Sequence, residues 1–289
     1  MKVAFKTGLS SCRNDHIMMN RRIFLKTGVT GLSVAPFTLQ AKQKPLNPGS
    51  PLAIASFSMR EFSLDDMLDI CLRCGIKQIA LKDLHLPLSS SKEVIEQSIK
   101  RCTEKGVATY AVGVVYMKTT AAIDQAFEYA GTAGVELMVA KPAKELLRYV
   151  EEKVKRYNIR IAIHNHGPGD QSYPSVQSAY ELIVKMDRRM GLCMDIGHTK
   201  RIGRDPGQDL REFSDRIFDI HLKDVTAATA EGRNCIIGRG VIDFRSFLKA
   251  VRYTGYRGYL ALEYEESPRD PLPGMMESLG YIKGMLAAL

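Results

Sequence analysis

Four apolar runs in the second half of the chain each end in a residue that can bind a divalent metal. Their last residues are His164, Asp195, His221 and Glu263. Short runs rich in Ile, Val and Leu predict buried strands, and a polar residue at the far end of such a strand emerges where the backbone reaches solvent. The four residues are spaced by 31, 26 and 42 positions, close to the length of one strand, one helix and two short loops. Parallel strands closed into a barrel would therefore bring the four side chains to one point.

The chain from Leu52 onward alternates between strand-like and helix-like patterns. The candidate strands are 52–57, 76–82, 107–113, 135–140, 159–164, 189–195, 216–222 and 257–263. The candidate helices are 63–74, 91–105, 119–133, 143–157, 173–187, 205–215, 243–254 and 272–288. Eight strand–helix pairs in one chain of this size predict a single-domain (β/α)8 TIM barrel. A doubly wound open sheet is disfavoured, because no glycine-rich phosphate loop follows the first strand.

The beginning of the chain has the features of an export signal. A basic start with the pair Arg21-Arg22 precedes a weakly apolar stretch, 27–39, which is too short for a stable membrane span. The pair resembles the twin-arginine signal, which implies a twin-arginine translocase as a partner during export. We therefore predict an export signal over 1–41, a linker over 42–50 and the barrel over 51–289, in a protein that is periplasmic or otherwise exported.

The basic charge of the chain does not predict a nucleic-acid partner. The net charge is +9, but residues 1–41 contain six Lys/Arg and one Asp, so that the remainder carries only about +4. The pair Cys71 and Cys74 has the spacing of a redox or zinc motif, but it lies in a helical pattern with no second pair nearby. We interpret these thiols as small core residues.

The donor set itself restricts the metal. Two imidazoles and two carboxylates suit one divalent ion such as Zn, Mn or Co. Calcium and magnesium prefer shells made only of oxygen, so two histidines disfavour them. A single histidine at a strand end is more often a structural residue, and the prediction depends on all four residues occurring at barrel spacing.

Five motifs, in this order, resemble those of the xylose isomerase-like barrels, which include sugar phosphate isomerases and epimerases, inosose dehydratases and endonuclease IV. They are His164–Pro168, Met194–His198, Asp219–Asp224, Gly238–Phe244 and Leu262-Glu263. The resemblance covers nearly all of 50–289, and it is specific to the superfamily rather than to one activity. It implies that His164, Asp195, His221 and Glu263 are the metal ligands. The segment 232–240 lacks the additional ligands of endonuclease IV, which disfavours DNA repair.

One position departs from this family pattern. Epimerases of the family have a glutamate where His164 stands, and that glutamate and the last-strand glutamate look like the two acid/base groups on either face of the sugar carbon. The two-glutamate mechanism therefore cannot be transferred unchanged, and whether His164 binds the metal stays open. A barrel of this kind would abstract a proton next to a carbonyl of a sugar or polyol derivative. We predict Glu263 and His166 as the catalytic residues.

Further polar residues at or after strand ends are candidates for the remainder of the site. Four of them are predicted to bind substrate: Lys82, His85, Lys141 and Arg239. At 82–85, a structural salt bridge is an equal alternative to a substrate contact. For Arg239, the equal alternative is a solvated side chain without a substrate contact. Arg239 lies in the long connection 223–242, a candidate substrate lid. His198 and Asp224 are predicted to orient the metal ligands.

The predicted activity is a metal-dependent isomerase or epimerase acting on a small-molecule carbohydrate. A lyase or dehydratase that eliminates a β group from a keto-sugar or a 3-keto-glycoside uses the same enediolate and is the first alternative. A carbohydrate-binding barrel without turnover is the second. The sequence is compatible with a homo-oligomer, and it does not specify the sugar, its phosphorylation or the metal.

Overall fold

The structure, a computed structural model, describes residues 52–289. The predicted export signal over 1–41 and the linker over 42–50 lie outside the described residues, so both stay predictions.

Eight parallel strands form a closed barrel in the order β1-β10-β7-β6-β5-β4-β3-β2. The barrel strands are β1 (Leu52–Ala55), β2 (Gln78–Leu81), β3 (Ala108–Met117), β4 (Leu137–Pro142), β5 (Arg160–His164), β6 (Met190–Asp195), β7 (Ile217–Leu222) and β10 (Leu260–Leu262). Two further strands, β8 (Asp224–Val225) and β9 (Asn234–Cys235), form a small antiparallel hairpin after β7. The predicted (β/α)8 barrel is confirmed.

Helices connect the strands and cover the outside of the barrel. They are α1 (Leu64–Arg73), α2 (Lys92–Glu104), α3 (Thr120–Thr132), α4 (Leu147–Tyr157), α5 (Val176–Ile183), α6 (Ile196–Arg201), α7 (Pro206–Phe213), α8 (Phe244–Tyr253) and α9 (Leu272–Ala287). Side-chain caps begin several of them: the hydroxyl of Ser63 accepts from the Asp66 N–H and that of Ser91 from the Val94 N–H. Such caps satisfy backbone donors that the first turn of a helix leaves free.

Several element boundaries differ from the sequence prediction; β3, for example, continues to Met117 instead of ending at 113. The first strand stops at Ala55, and the chain turns into a 3-10 helix over Ser56–Met59. Helix α5 spans only Val176–Ile183, shorter than the predicted 173–187. The short helix α6 was not predicted; the carboxylate of Asp195, at the end of β6, accepts the His198 N–H and thereby caps it. A local cap therefore begins a helix that apolar periodicity is too short to reveal.

The core lies inside the barrel and between its strands and helices. Cys71 on α1, Cys74 directly after it and Cys102 on α2 are buried free thiols, and the burial of Cys71 and Cys74 agrees with their interpretation as core residues. Burial raises the pKa of the Cys74 thiol to about 11, so it stays protonated and unreactive at neutral pH. Within residues 52–289, no helix has the length and apolar character needed to span a membrane.

Candidate metal centre and pocket

The four predicted metal ligands meet at the carboxyl end of the barrel. His164 ends β5, Asp195 ends β6, His221 lies in β7 and Glu263 directly follows β10. Because neighbouring parallel strands end on the same rim, all four side chains reach the same space. Each is buried, and one donor atom from each lies within 4.8 Å of the others.

The separations between these donor atoms match those around a small cation. Nε2 of His164 lies 3.1 Å from Nδ1 of His221, and the latter atom lies 3.2 Å from Oε2 of Glu263. Nε2 of His164 is 3.7 Å from Oδ2 of Asp195. Ligand atoms around a tetrahedral zinc ion stand about 3.3–3.5 Å apart, as bond lengths of about 2.0–2.2 Å require. The four residues could therefore hold one divalent ion with little movement.

An unpartnered polar atom at this point provides a second test of the fit. Within the described residues 52–289, Oδ2 of Asp195 is buried and forms no hydrogen bond, and it is one of the donor atoms compared above. Buried polar groups without partners are costly, and in native proteins they usually indicate an ion, a water molecule or a functional role. With its two imidazole nitrogens and two carboxylate oxygens, this group fits a divalent transition metal.

Lys223 is the charged group at the centre of the site that the sequence analysis missed. Its ammonium lies 3.0 Å from Oδ2 of Asp195, without hydrogen-bond alignment, and 2.9 Å from Oε2 of Glu263, and it also pairs with Glu265. Burial opposes its positive charge, but the three carboxylates outweigh burial and raise the pKa of Lys223 well above its usual value. The ammonium is therefore permanently charged beside the metal-donor oxygens.

Gly197 makes room for the stem of this lysine. A Cβ at this position would lie 2.8 Å from Cγ of Lys223, closer than side chains tolerate. The glycine of the Asp-Ile-Gly-His motif is thus explained by the close approach of α6 to the residue that follows β7. Asn165 secures the neighbouring strand end, because its side chain accepts the Asp195 N–H at 2.9 Å and donates to the Asp195 carbonyl at 3.3 Å.

The ionisation of the donors follows from their surroundings. Burial lowers the pKa of His164 well below its usual value, so its imidazole is neutral and free to donate a lone pair. Burial alone would raise the pKa of Glu263, but Lys223 and His221 outweigh it and hold that pKa well below its usual range. Glu263 is therefore a carboxylate at neutral pH.

A small pocket of about 120 Å³ opens beside two of the four donor residues, His164 and Glu263. Its lining residues are Phe57, Lys82, Val114, Tyr116, His164, His166, His198, Lys223, Glu263 and Glu265. A larger surface groove of about 630 Å³ lies elsewhere, along α1 and the segment before α9. None of the four donors lines that groove, so the chemistry of the site concerns the smaller pocket.

Two of the predicted residues, His166 and His198, line this pocket. Nδ1 of His166 lies 3.1 Å from the carbonyl oxygen of His164, and Nε2 lies 3.5 Å from the hydroxyl of Tyr116. A carbonyl oxygen only accepts, so Nδ1 carries the hydrogen and Nε2 presents its lone pair to the pocket. His198 stacks on His166 with ring centroids 6.1 Å apart. It contacts the donor set through its backbone, which donates to Asp195.

The predicted substrate-binding lysines lie on either side of one aromatic ring. The ammonium of Lys82 is 5.4 Å and that of Lys141 is 5.9 Å from the ring centre of Tyr116, which is 49% exposed. Lys82 lines the pocket and pairs with Asp83 at 2.9 Å, whereas Lys141 pairs with Asp170 beside it. Tyr116 itself was not predicted, because the predicted strand ended at 113, whereas β3 continues to Met117.

Two other predicted residues are engaged away from the donors. Both ring nitrogens of His85 have protein partners, Ser56 Oγ at 3.0 Å and the Met59 carbonyl at 3.1 Å. Arg239 forms a bidentate pair with Glu277 on α9, at 2.7 and 2.8 Å, in an exposed position. The structure thus brings neither side chain into the pocket beside the donors.

Asp224 organises the connection after β7 instead of contacting a predicted metal ligand. Its carboxylate accepts the N–H groups of Val225 at 2.8 Å, Gly238 at 2.9 Å, Gly240 at 3.0 Å and Ile242 at 3.3 Å. A Cβ on Gly240 would lie 2.3 Å from Oδ1 of Asp224, so the backbone approaches this closely only because the residue is glycine. The candidate lid over 223–242 is therefore fastened at its carboxyl-terminal end.

The fold agrees with what the comparisons with known proteins show. Residues 26–285 match the family described as Xylose isomerase-like TIM barrel, and the chain belongs to that family. Among curated proteins, it is 29% identical over 146 residues to the rhizopine catabolism protein MocC of Rhizobium meliloti, covering 45% of this chain and 44% of that protein. It is 27% identical over 144 residues to inosose dehydratase of Lacticaseibacillus casei, covering 44% of this chain and 47% of that enzyme.

The matched segments thus span about half the length of these curated relatives. Two solved structures superpose over most of the barrel. L-ribulose 3-epimerase gives a TM-score of 0.69 at 15% identity, covering 83% of this chain and 95% of that chain. The IOLI protein with a bound zinc atom gives a TM-score of 0.69 at 16% identity, covering 82% of this chain and 98% of that chain. At these identities the superpositions establish the shared fold alone.

Proposed function

We propose that this protein is an exported, metal-dependent isomerase or epimerase that abstracts a proton next to the carbonyl of a sugar or polyol derivative. The observation that carries this proposal is the buried group of four donor atoms within 4.8 Å, two of whose residues, His164 and Glu263, line a pocket together with His166. The related inosose dehydratases and the similar fold of L-ribulose 3-epimerase support a small carbohydrate as the substrate class.

His164, Asp195, His221 and Glu263 would hold the metal. A divalent ion so bound supplies a Lewis acid that polarises a carbonyl and stabilises a neighbouring negative charge. Lys223, at 2.9 Å from Oε2, helps to keep the Glu263 ligand ionised, and its ammonium also lies 3.0 Å from Oδ2 of Asp195. The Glu263 oxygens therefore stay available without a competing proton.

His166 and Glu263 are the proposed proton-transfer groups. Nε2 of His166 faces the pocket with its lone pair, because Nδ1 donates to the His164 carbonyl, and the Tyr116 hydroxyl lies 3.5 Å from it. Glu263 enters the same pocket after β10, three strands along the barrel from β5. A base must lie within hydrogen-bond reach of the proton it removes, and both residues line the space that a substrate would occupy.

Lys82 and Tyr116 are proposed to position the substrate at the pocket mouth. The half-exposed phenol ring offers an apolar face, and the Lys82 ammonium can donate to hydroxyl or carboxylate oxygens. Lys141, held by Asp170, is proposed to act from the far side of the same ring.

A lyase or dehydratase is the second candidate, and one feature favours it specifically. His164 stands where the resembling epimerases have a glutamate, so the site has one acidic proton-transfer residue, Glu263, instead of two. Elimination of a β group needs one base for the α-proton and a donor for the leaving group, a task that Glu263 and His166 could divide. The relatives named inosose dehydratase are consistent with this reading.

Incubation of the metal-loaded protein with keto-sugars and ketoses in deuterated water separates these functions. An isomerase or epimerase incorporates deuterium next to the carbonyl and keeps every carbon–oxygen bond, whereas a lyase releases the β substituent and produces an enone absorbance. Glu263→Gln and His166→Gln should abolish either signal. Glu181→Gln, a change of the same kind on the exposed face of α5, should leave it intact.

A carbohydrate-binding barrel without turnover gives a third pattern in the same experiment. It binds the sugar, as detected by calorimetry, and neither exchanges hydrogen nor releases a group with zinc, manganese or cobalt present. This result would exclude the proposed catalysis.

Export is part of the proposal and has its own test. The Arg21-Arg22 pair precedes a short apolar stretch, the arrangement that a twin-arginine translocase recognises. Replacing both arginines by lysine should leave the precursor in the cytoplasm in a fractionation experiment. Unchanged export would contradict the signal assignment.

A further inference from the structure

Below the predicted metal ligands, the interior of the barrel contains a buried acid that the proposed catalysis does not use. Successive inward-facing positions along β7 and just beyond it are Asp219, His221 and Lys223, because side chains alternate along a strand. Asp219 is fully buried. Barrel interiors are normally filled by branched apolar residues, so a carboxylate at this depth needs a specific partner.

The partners of Asp219 connect it to a metal ligand. The hydroxyl of Tyr110, on β3 across the barrel, donates to the carboxylate at 3.0 and 3.2 Å. Oδ2 lies 3.9 Å from Nε2 of His221, an ion-pair contact somewhat longer than a hydrogen bond. Within residues 52–289, His221 is the only basic side chain within 4.0 Å of this carboxylate, and its Nε2 has no hydrogen-bond partner.

The two sides of the His221 ring therefore face different groups. Nδ1 faces the other donors, at 3.1 Å from His164 and 3.2 Å from Glu263, whereas Nε2 faces Asp219. A carboxylate next to the distal nitrogen of a metal-bound imidazole fixes the tautomer, orients the ring and makes the coordinating nitrogen more basic. Asp219 beside Nε2 would therefore keep the hydrogen of the His221 ring on Nε2 and leave the lone pair on Nδ1.

We infer that Tyr110 and Asp219 are positioning residues that hold His221 in the orientation and tautomer required for metal binding. Tyr110 holds the carboxylate, and the carboxylate holds the imidazole. Cys193 on β6 is the competing partner, since its sulfur lies within 4.8 Å of donor nitrogens of both His164 and His221. The inference rests on the metal site of the proposed function, and its test must distinguish failure of one from failure of the other.

The test measures zinc affinity by competition with a chelator. Asp219→Asn preserves size and can still accept from Tyr110, and we expect it to weaken zinc binding by about 10–100-fold. Tyr110→Phe should weaken it by a smaller factor. Tyr256→Phe is the matched control, because the Tyr256 hydroxyl donates to the Tyr259 carbonyl at 3.0 Å and does not contact Asp219 by a hydrogen bond. Cys193→Ala should leave affinity unchanged.

A tautomer measurement distinguishes positioning from a general loss of structure. In the zinc-loaded wild type, nitrogen NMR of His221 should show the hydrogen on Nε2, and Asp219→Asn should weaken this preference. Affinity of folded Asp219→Asn within twofold of wild type, or a large loss in Cys193→Ala alone, would overturn the inference. If Asp219→Asn does not fold, the zinc affinities of Tyr110→Phe and Tyr256→Phe are compared instead. Equal affinities of these two variants would overturn the inference. A wild type that binds no zinc would overturn the metal site and this inference together.

Discussion

Replacement of Lys223 by methionine should destabilise the protein far more than any other lysine replacement in the pocket. Methionine keeps most of the apolar stem but removes the ammonium that contacts Asp195 at 3.0 Å and Glu263 at 2.9 Å. Both carboxylates are buried, so they would lose their compensating charge without gaining water. Removing one partner of a buried ion pair costs about 3–5 kcal/mol.

This cost corresponds to a large change in thermal stability. In a domain of about 150–250 residues, 1 kcal/mol lowers the melting temperature by about 2–4 °C, so we expect a decrease of about 6–20 °C. The measurement is calorimetry with a chelator present. Added zinc should then stabilise Lys223→Met more than wild type, because a divalent cation between the same carboxylates replaces the missing positive charge.

Lys82→Met is the matched control. Lys82 lines the same pocket, but its partner Asp83 is 38% exposed, and exposed pairs contribute at most about 1 kcal/mol. If Lys223→Met melts within about 2 °C of Lys82→Met in chelator, the ammonium does not neutralise the buried carboxylates, and the electrostatic account of the site is wrong.

Three further results are expected. Burial lowers the pKa of His85 from 6.5, so the unfolded chain takes up a proton that the folded chain resists, and the free energy of unfolding falls as the pH decreases below about 6.5. In urea titrations between pH 7 and 5, His85→Asn should make this decline shallower by up to about 1.4 kcal/mol per pH unit. An unchanged slope would contradict this prediction. Asp224→Ala removes the acceptor of four backbone N–H groups, so amide exchange over 236–242 should accelerate; protection equal to wild type would refute its organising role. Arg239→Ala breaks only an exposed ion pair with Glu277, so we expect less than about 1 kcal/mol of destabilisation and an unchanged KM. A large increase in KM would instead support the predicted substrate contact of Arg239.

Much of the architecture could be predicted because it depends on local patterns. Apolar runs ending in polar residues indicated the strands, and caps such as Ser63 indicated where helices begin. The error at α6 has a physical cause: this helix depends on one carboxylate, Asp195, that caps it, and six residues are too few for a periodic apolar face. Likewise, no pattern showed that Asp224 would bind the loop backbone instead of a ligand, since its acceptor contacts lie up to 18 residues away.

The amino-acid sequence by itself determined the eight-stranded barrel and the rim where His164, Asp195, His221 and Glu263 emerge, because strand periodicity and spacing are local properties. It also contained the alternation that places Asp219, His221 and Lys223 on one face of a strand. Only the tertiary structure decided what these side chains meet. Contacts across the barrel, such as that from Tyr110 to Asp219 over 109 positions of sequence, depend on strand register and closure, which no local pattern encodes.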